Sequence, residues 1–167
     1  YLDKPVLYFA VSAAIIELLG PSELAARLPS LFFTLGTLGI LGWFARKWFG
    51  AEGAWVAVIA TATSPLTLGF ARTAIFDSAL TFFVVVALVG FYEAVERQNG
   101  RTAERPSAWG WAALAWAAMG LGILTKGPIA LALPLLVALP YAWLRGSSRA
   151  IWQPAGPLLC IALVLPW

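Results

Sequence analysis

"PSAWGWAALAWAAMGLGILTKGPIALALPLLVALPYAWL", residues 106–144, is 39 residues long with a single charge inside it. Lys126 is the only charged residue between Arg105 and Arg145. About 20 apolar residues, rising ~1.5 Å each, cross a ~30 Å hydrocarbon core as helix. The uncharged runs 106–125 and 127–144 therefore read as two membrane-spanning helices joined at Lys126-Gly127-Pro128. A charge at bilayer depth costs about 2.5–3.5 kcal/mol on insertion scales, so such a residue marks a site or sits at a membrane surface.

Composition extends that reading to the whole chain. The 167 residues are 61% hydrophobic and 11% charged, with a mean hydropathy of +0.84. Soluble domains carry about 25% charged residues, so this is a membrane protein. The nine Trp suit the two membrane–water interfaces. An excess of 11 Lys and Arg over 8 Asp and Glu reads as topology, not as nucleic-acid binding. The single cysteine, Cys160, allows no internal disulfide, and the absence of histidine excludes a His general base and a His-ligated zinc within these residues. The chain opens at Tyr1 without an initiator Met or signal peptide and stops inside an apolar run, as expected of an internal piece of a larger polytopic protein.

Uncharged runs fall at 28–45, 53–71, 78–92, 106–125, 127–144 and 150–167, giving about six expected spans. The earlier segment 5–19, "PVLYFAVSAAIIELL", contains Glu17 and reaches only ~22 Å as helix. It reads as an interfacial helix closed by Gly20-Pro21. Residues 1–27 thus form the end of an outer loop with a juxtamembrane helix, and 28–167 a helix bundle incomplete at both ends. Alternation between spans sends Arg46, Lys47, Arg97, Arg101, Arg105, Arg145 and Arg149 to one side, against Arg27, Arg72 and Lys126 on the other. The richer side is cytoplasmic. Lys4 is outside if segment 5–19 lies in the interface and inside if it spans.

The outer residues carry the chemistry, each beside a plainer role. Pro128 suits a first helical turn, so the next helix starts there, and its N-terminus with the Lys126 ammonium makes an anion site. Snorkelling at a helix junction explains Lys126 equally well. Lys4 before Pro5 repeats the arrangement, or is an ordinary helix start. Asp77, with Ser78 behind it, is a general base or an N-cap. Arg72 binds an anion, pairs with Asp77, or meets lipid headgroups. Arg27 anchors the start of its span, and Gly36, Gly39 and Gly42 are packing positions. With Lys4 outside, Lys4, Arg72 and Lys126 surround a phosphate and Asp77 supplies the base.

Five pieces taken in order, "YLDKPVLYF", "ELAARLPSLFFTLG", "ARKWFGAEGAWVAVIATATSPL", "ARTAIFDSALTFF" and "GLGILTKGPIALALPLL", resemble the bacterial dolichyl-phosphate-mannose-protein mannosyltransferase-like family. These are GT-C membrane glycosyltransferases (glycosyltransferase family 39) that include lipid A aminoarabinose transferase. The resemblance implies an all-α, polytopic transmembrane helix bundle of GT-C type in the bacterial inner membrane, with its active site facing the periplasm. It implies a polyprenyl-phosphate sugar as donor and a lipid, protein or glycan hydroxyl as acceptor. Asp77 matches the family's second-loop catalytic acid; the first-loop acid belongs upstream of Tyr1. Tyr1 and Lys4 match positions near the lipid phosphate, Lys126 matches the lysine of the family's Thr-Lys-Gly, and Arg72 joins them as a phosphate ligand. Lys-Pro-Val stands where many relatives have Lys-Pro-Pro. No metal is assigned, because the chain offers too few ligands to argue for the divalent ion that relatives leave room for. A transporter or flippase of an anionic lipid or solute is the alternative. Its site belongs near the membrane midplane, whereas these charges fall at span ends.

Overall fold

The computed structural model describes residues 6–73, 75–100 and 108–166. Tyr1 and Lys4 lie outside the described residues. In order the elements are α1 (Leu7–Leu19), α2 (Glu23–Ala62), α3 (Pro65–Arg72), α4 (Phe76–Gln98), α5 (Ala108–Lys126), α6 (Ile129–Leu144), a 3-10 turn (Ser148–Ala150) and α7 (Ala155–Val164). Every described element is helical, as required where lipid offers no hydrogen-bond partner to the backbone.

Two arms make up α2. Gly50, at φ 74° and ψ −170°, breaks the helix. In a straight helix residues 42 and 58 would stand about 24 Å apart. Here a Cβ on Gly42 would lie 2.9 Å from Val58 Cγ2, so the chain doubles back at Gly50. That reversal separates the runs 28–45 and 53–71. The second run is itself interrupted: Ser64 is extended, with Pro65 at the start of α3. A residue before proline is pushed out of the helical region, which accounts for the break.

The arms and helices then alternate in direction. At one end Tyr8 meets Ser30, and Lys126 meets Asp77. At the other, Lys47 meets Glu93 and Arg145 meets Glu96. Among the described residues three helices, α2, α4 and α5, are long and apolar enough to cross a membrane. The expected six runs thus appear as alternating helical segments of unequal length. Those at 127–144 and 150–167 are shorter than their apolar runs, with α6 holding 16 residues and α7 only 10.

Small residues bring the helices together. Ala87, Phe91 and Ala94 on α4 and Ala112, Ala115 and Met119 on α5 are buried at helical spacing. Gly90 approaches so closely that a Cβ would lie 2.9 Å from the Trp111 carbonyl oxygen. Between apolar helices in lipid, close van der Waals packing of this kind drives association. Gly36 and Gly42 pack as expected, against Phe82 and Val58, but Gly39 faces open space. Leu136, Trp143, Leu144, Leu158 and Leu165 are exposed, an apolar surface suited to lipid and not to water.

The short α1 has 13 residues, about 20 Å of helix. It docks through Tyr8, whose hydroxyl lies 2.7 Å from Ser30 Oγ and whose ring meets Phe76 edge-on at 5.1 Å. Glu17 and Leu18 are exposed on its far side. This arrangement fits an interfacial helix lying over the Asp77 end.

Candidate active site

Three helix ends build the site. Lys126 is the last residue of α5, and Gly127 at φ +89° turns the chain. The Gly127 N–H donates to the Ile123 carbonyl at 2.8 Å, a helix stop that glycine adopts without steric cost. Pro128 caps α6, as expected of a helix starting there. Asp77 lies in the first turn of α4. The N-cap reading of Asp77 is corrected: Ile75 occupies that position and no side chain caps it. The Asp77 carboxylate instead accepts from the Lys126 ammonium.

Both helix dipoles favour this pair, with an anion at the N-terminus of α4 and a cation at the C-terminus of α5. The two side chains are 32% and 40% exposed. An ion pair that open to solvent contributes at most about 1 kcal/mol. It is therefore easily exchanged for another partner, as a substrate site requires.

Arg72 ends α3 and is exposed, with no ion-pair partner among the described residues; it does not pair with Asp77. Arg27 pairs with Glu23 one turn before it at the surface of α2, which suits an anchoring role. Of the expected site residues, then, the fold brings Asp77 and Lys126 together and leaves Arg72 free at the last turn of α3. Among the described residues no three His, Cys, Asp or Glu side chains converge.

The sequence reading missed the polar network at the opposite end. Glu93 and Glu96, one turn apart on α4, are fully buried. Lys47 Nζ donates to both Glu93 oxygens at 2.5 and 2.6 Å, and Arg97 Nε lies 3.3 Å away. Glu96 accepts from Tyr141 at 2.6 Å and from Arg145 Nε at 2.9 Å. That hydrogen bond raises the Arg145 pKa above its ordinary value, so the guanidinium stays charged. Two carboxylates three apart in an apolar helix were the available signal, overlooked because topology already explained charges there. Next to them an apolar cavity of about 340 Å³ is lined by Phe44, Tyr92, Val137 and Tyr141 among others. It offers no reacting group and lies away from Asp77.

Known proteins agree with this architecture. The chain is 31% identical over 170 residues to the undecaprenyl phosphate-alpha-4-amino-4-deoxy-L-arabinose arabinosyl transferase of Edwardsiella ictaluri, covering all of this chain and 30% of that protein. The Yersinia pestis (strain Pestoides F) protein of that name is 26% identical over the same shares. The crystal structure of ArnT from Cupriavidus metallidurans bound to undecaprenyl phosphate superposes with a TM-score of 0.88 at 28% identity, over all of this chain and 31% of that one. The chain thus spans about a third of the length of these relatives. The family model for dolichyl-phosphate-mannose-protein mannosyltransferase matches residues 3–167, and the chain belongs to that family.

Proposed function

We propose that this chain is the donor-binding part of a membrane glycosyltransferase. It moves a sugar from a polyprenyl phosphate to a lipid, protein or glycan hydroxyl on the periplasmic side of the bacterial inner membrane. The carrying observation is the meeting of Asp77 and Lys126, 49 positions apart in sequence, at one end of the bundle. Relatives named for undecaprenyl phosphate-linked aminoarabinose make an undecaprenyl-phosphate donor the leading case. Charges at helix ends favour a transferase over a transporter, whose site belongs at the midplane.

The lipid phosphate draws the Lys126 ammonium away from Asp77, and Arg72, Lys4 and Tyr1 complete the phosphate's surroundings. The freed carboxylate accepts the proton of the acceptor hydroxyl as its oxygen attacks the anomeric carbon. The carbon–oxygen bond to phosphate breaks, and the electron pair leaves on phosphate, whose growing charge the cations offset. The departing phosphate needs no proton. Residues 1–27 form the periplasmic rim, and 28–167 carry the bundle.

Binding of undecaprenyl phosphate to the full-length protein tests this. Removing a charge-assisted contact costs about 1.5–3 kcal/mol, so Lys126→Ala is expected to weaken affinity roughly 10- to 150-fold. Unchanged affinity in Lys126→Ala and Arg72→Ala alike would return both residues to anchoring roles.

A further inference from the structure

A pocket of about 100 Å³ lies among α2, α3 and α4, in the half of the bundle that holds Asp77. Six hydroxyls line it: Thr34 and Thr37 from the first arm of α2, Thr61 from the second, Thr67 from α3, and Ser78 and Thr81 from α4. Among the described residues no charged side chain contributes.

Most of these hydroxyls have already used their hydrogens. Thr34 Oγ1 donates to the Ser30 carbonyl at 2.8 Å, Thr37 to Phe33 at 2.9 Å, and Thr81 to Asp77 at 2.7 Å. Ser78 Oγ donates to Ile75 at 3.1 Å. What they present to the pocket is lone pairs. An acceptor-lined pocket takes a ligand that donates hydrogen bonds, and it disfavours phosphate, which has only acceptors to offer when ionised.

A second feature points the same way. The break at Thr63-Ser64, between the second arm of α2 and α3, falls beside this pocket, whose wall includes Thr61, Leu66 and Thr67. Within a membrane, non-helical backbone is tolerated where it is buried in protein or lines a polar cavity. Thr81 sits one turn below Asp77 on the same face of α4, about 6 Å along the helix. The pocket therefore adjoins the reacting group.

We propose that this pocket receives one edge of the donor's sugar ring, whose hydroxyl or ammonium groups donate to the Thr and Ser oxygens. At about 100 Å³ it falls below the roughly 300–1,000 Å³ of pockets for drug-sized molecules, so it holds part of a sugar and not a whole glycolipid. Phosphate and sugar are thereby sorted by chemistry, with the anion beside Lys126 and the donor groups below Asp77. This inference rests on the glycosyltransferase reading.

The test uses the full-length protein in lipid and two probes, undecaprenyl phosphate alone and undecaprenyl phosphate carrying 4-amino-4-deoxy-L-arabinose. Thr37→Val and Thr81→Val keep side-chain shape and remove the acceptors. The double variant is expected to bind the sugar-bearing probe about tenfold more weakly, from two lost hydrogen bonds near 0.7 kcal/mol each. Affinity for the bare lipid phosphate stays within about twofold, and Thr37→Ser/Thr81→Ser restores sugar-dependent binding. Equal weakening for both probes, or no weakening, overturns the proposal. Failure of the wild-type protein to transfer sugar from any of a broad panel of polyprenyl-phosphate sugars is a separate result, read without any variant; it overturns the glycosyltransferase reading and the pocket assignment with it.

Discussion

Lys47→Met and Glu93→Gln remove opposite halves of one ion pair and are expected to differ in cost. The Glu93 carboxylate is 0% exposed, whereas the Lys47 side chain is 27% exposed. After Lys47→Met the carboxylate stays buried, with Arg97 Nε at 3.3 Å as its remaining ion-pair partner. Orphaning a buried charge costs about 3–5 kcal/mol; with Arg97 in place the expected loss is about 2–3 kcal/mol. After Glu93→Gln the Lys47 ammonium turns to water, and Arg97 keeps its position over the Trp111 ring at 5.2 Å. That change costs about 1 kcal/mol, the net worth of a hydrogen bond. The double variant should be more stable than Lys47→Met alone, because the orphaned charge is gone. Equilibrium unfolding in mixed dodecyl maltoside and dodecyl sulfate micelles, followed by circular dichroism, measures all four proteins. A Lys47→Met loss below about 0.5 kcal/mol, the scale of an ordinary surface change, would show that Glu93 is not left as a buried, underpaired charge. So would a Glu93→Gln variant less stable than Lys47→Met.

Gly50→Ala places a Cβ at φ 74° and ψ −170°, a conformation essentially reserved to glycine. With no atom near that Cβ, the cost is backbone strain alone, about 1–3 kcal/mol in the same unfolding assay. Gly156→Ala instead collides with the buried Trp116 ring, whose Nε1 donates to the Ile151 carbonyl at 2.9 Å. Overpacking there is expected to cost about 1–3 kcal/mol and to shift Trp fluorescence as the ring moves.

Apolar run length made the helices legible, because lipid imposes one length scale and one hydrogen-bonding solution on every span. The short helix at Leu7–Leu19 followed from the same arithmetic. Breaks within runs were harder. Pro65 signals an interruption only once a neighbouring polar pocket gives the bent backbone somewhere to face, which one-dimensional patterning does not show. The Asp77–Lys126 meeting was legible as two residues sharing a side, while their direct pairing depended on α4 and α5 packing in register. Glu93 and Glu96 were hidden by a correct rule, since charges near a span end satisfy topology whether buried or exposed. Thr34, Thr37 and Thr81 gave little signal because hydroxyls bonded to their own helix pass as neutral lipid-facing residues.

The decisive measurement of the Asp77–Lys126 site is sugar transfer by the full-length protein, purified in lipid and given a radiolabelled polyprenyl-phosphate sugar with a membrane extract as acceptor. A positioned general base contributes about 10²–10⁴-fold to rate, so Asp77→Asn is expected to lose transfer by that factor while retaining its fold and its affinity for undecaprenyl phosphate. Lys126→Ala is expected to lose both transfer and affinity. Transfer at the wild-type rate in Asp77→Asn would rule out Asp77 as the base and reduce the Asp77–Lys126 pair to a link between two helix ends.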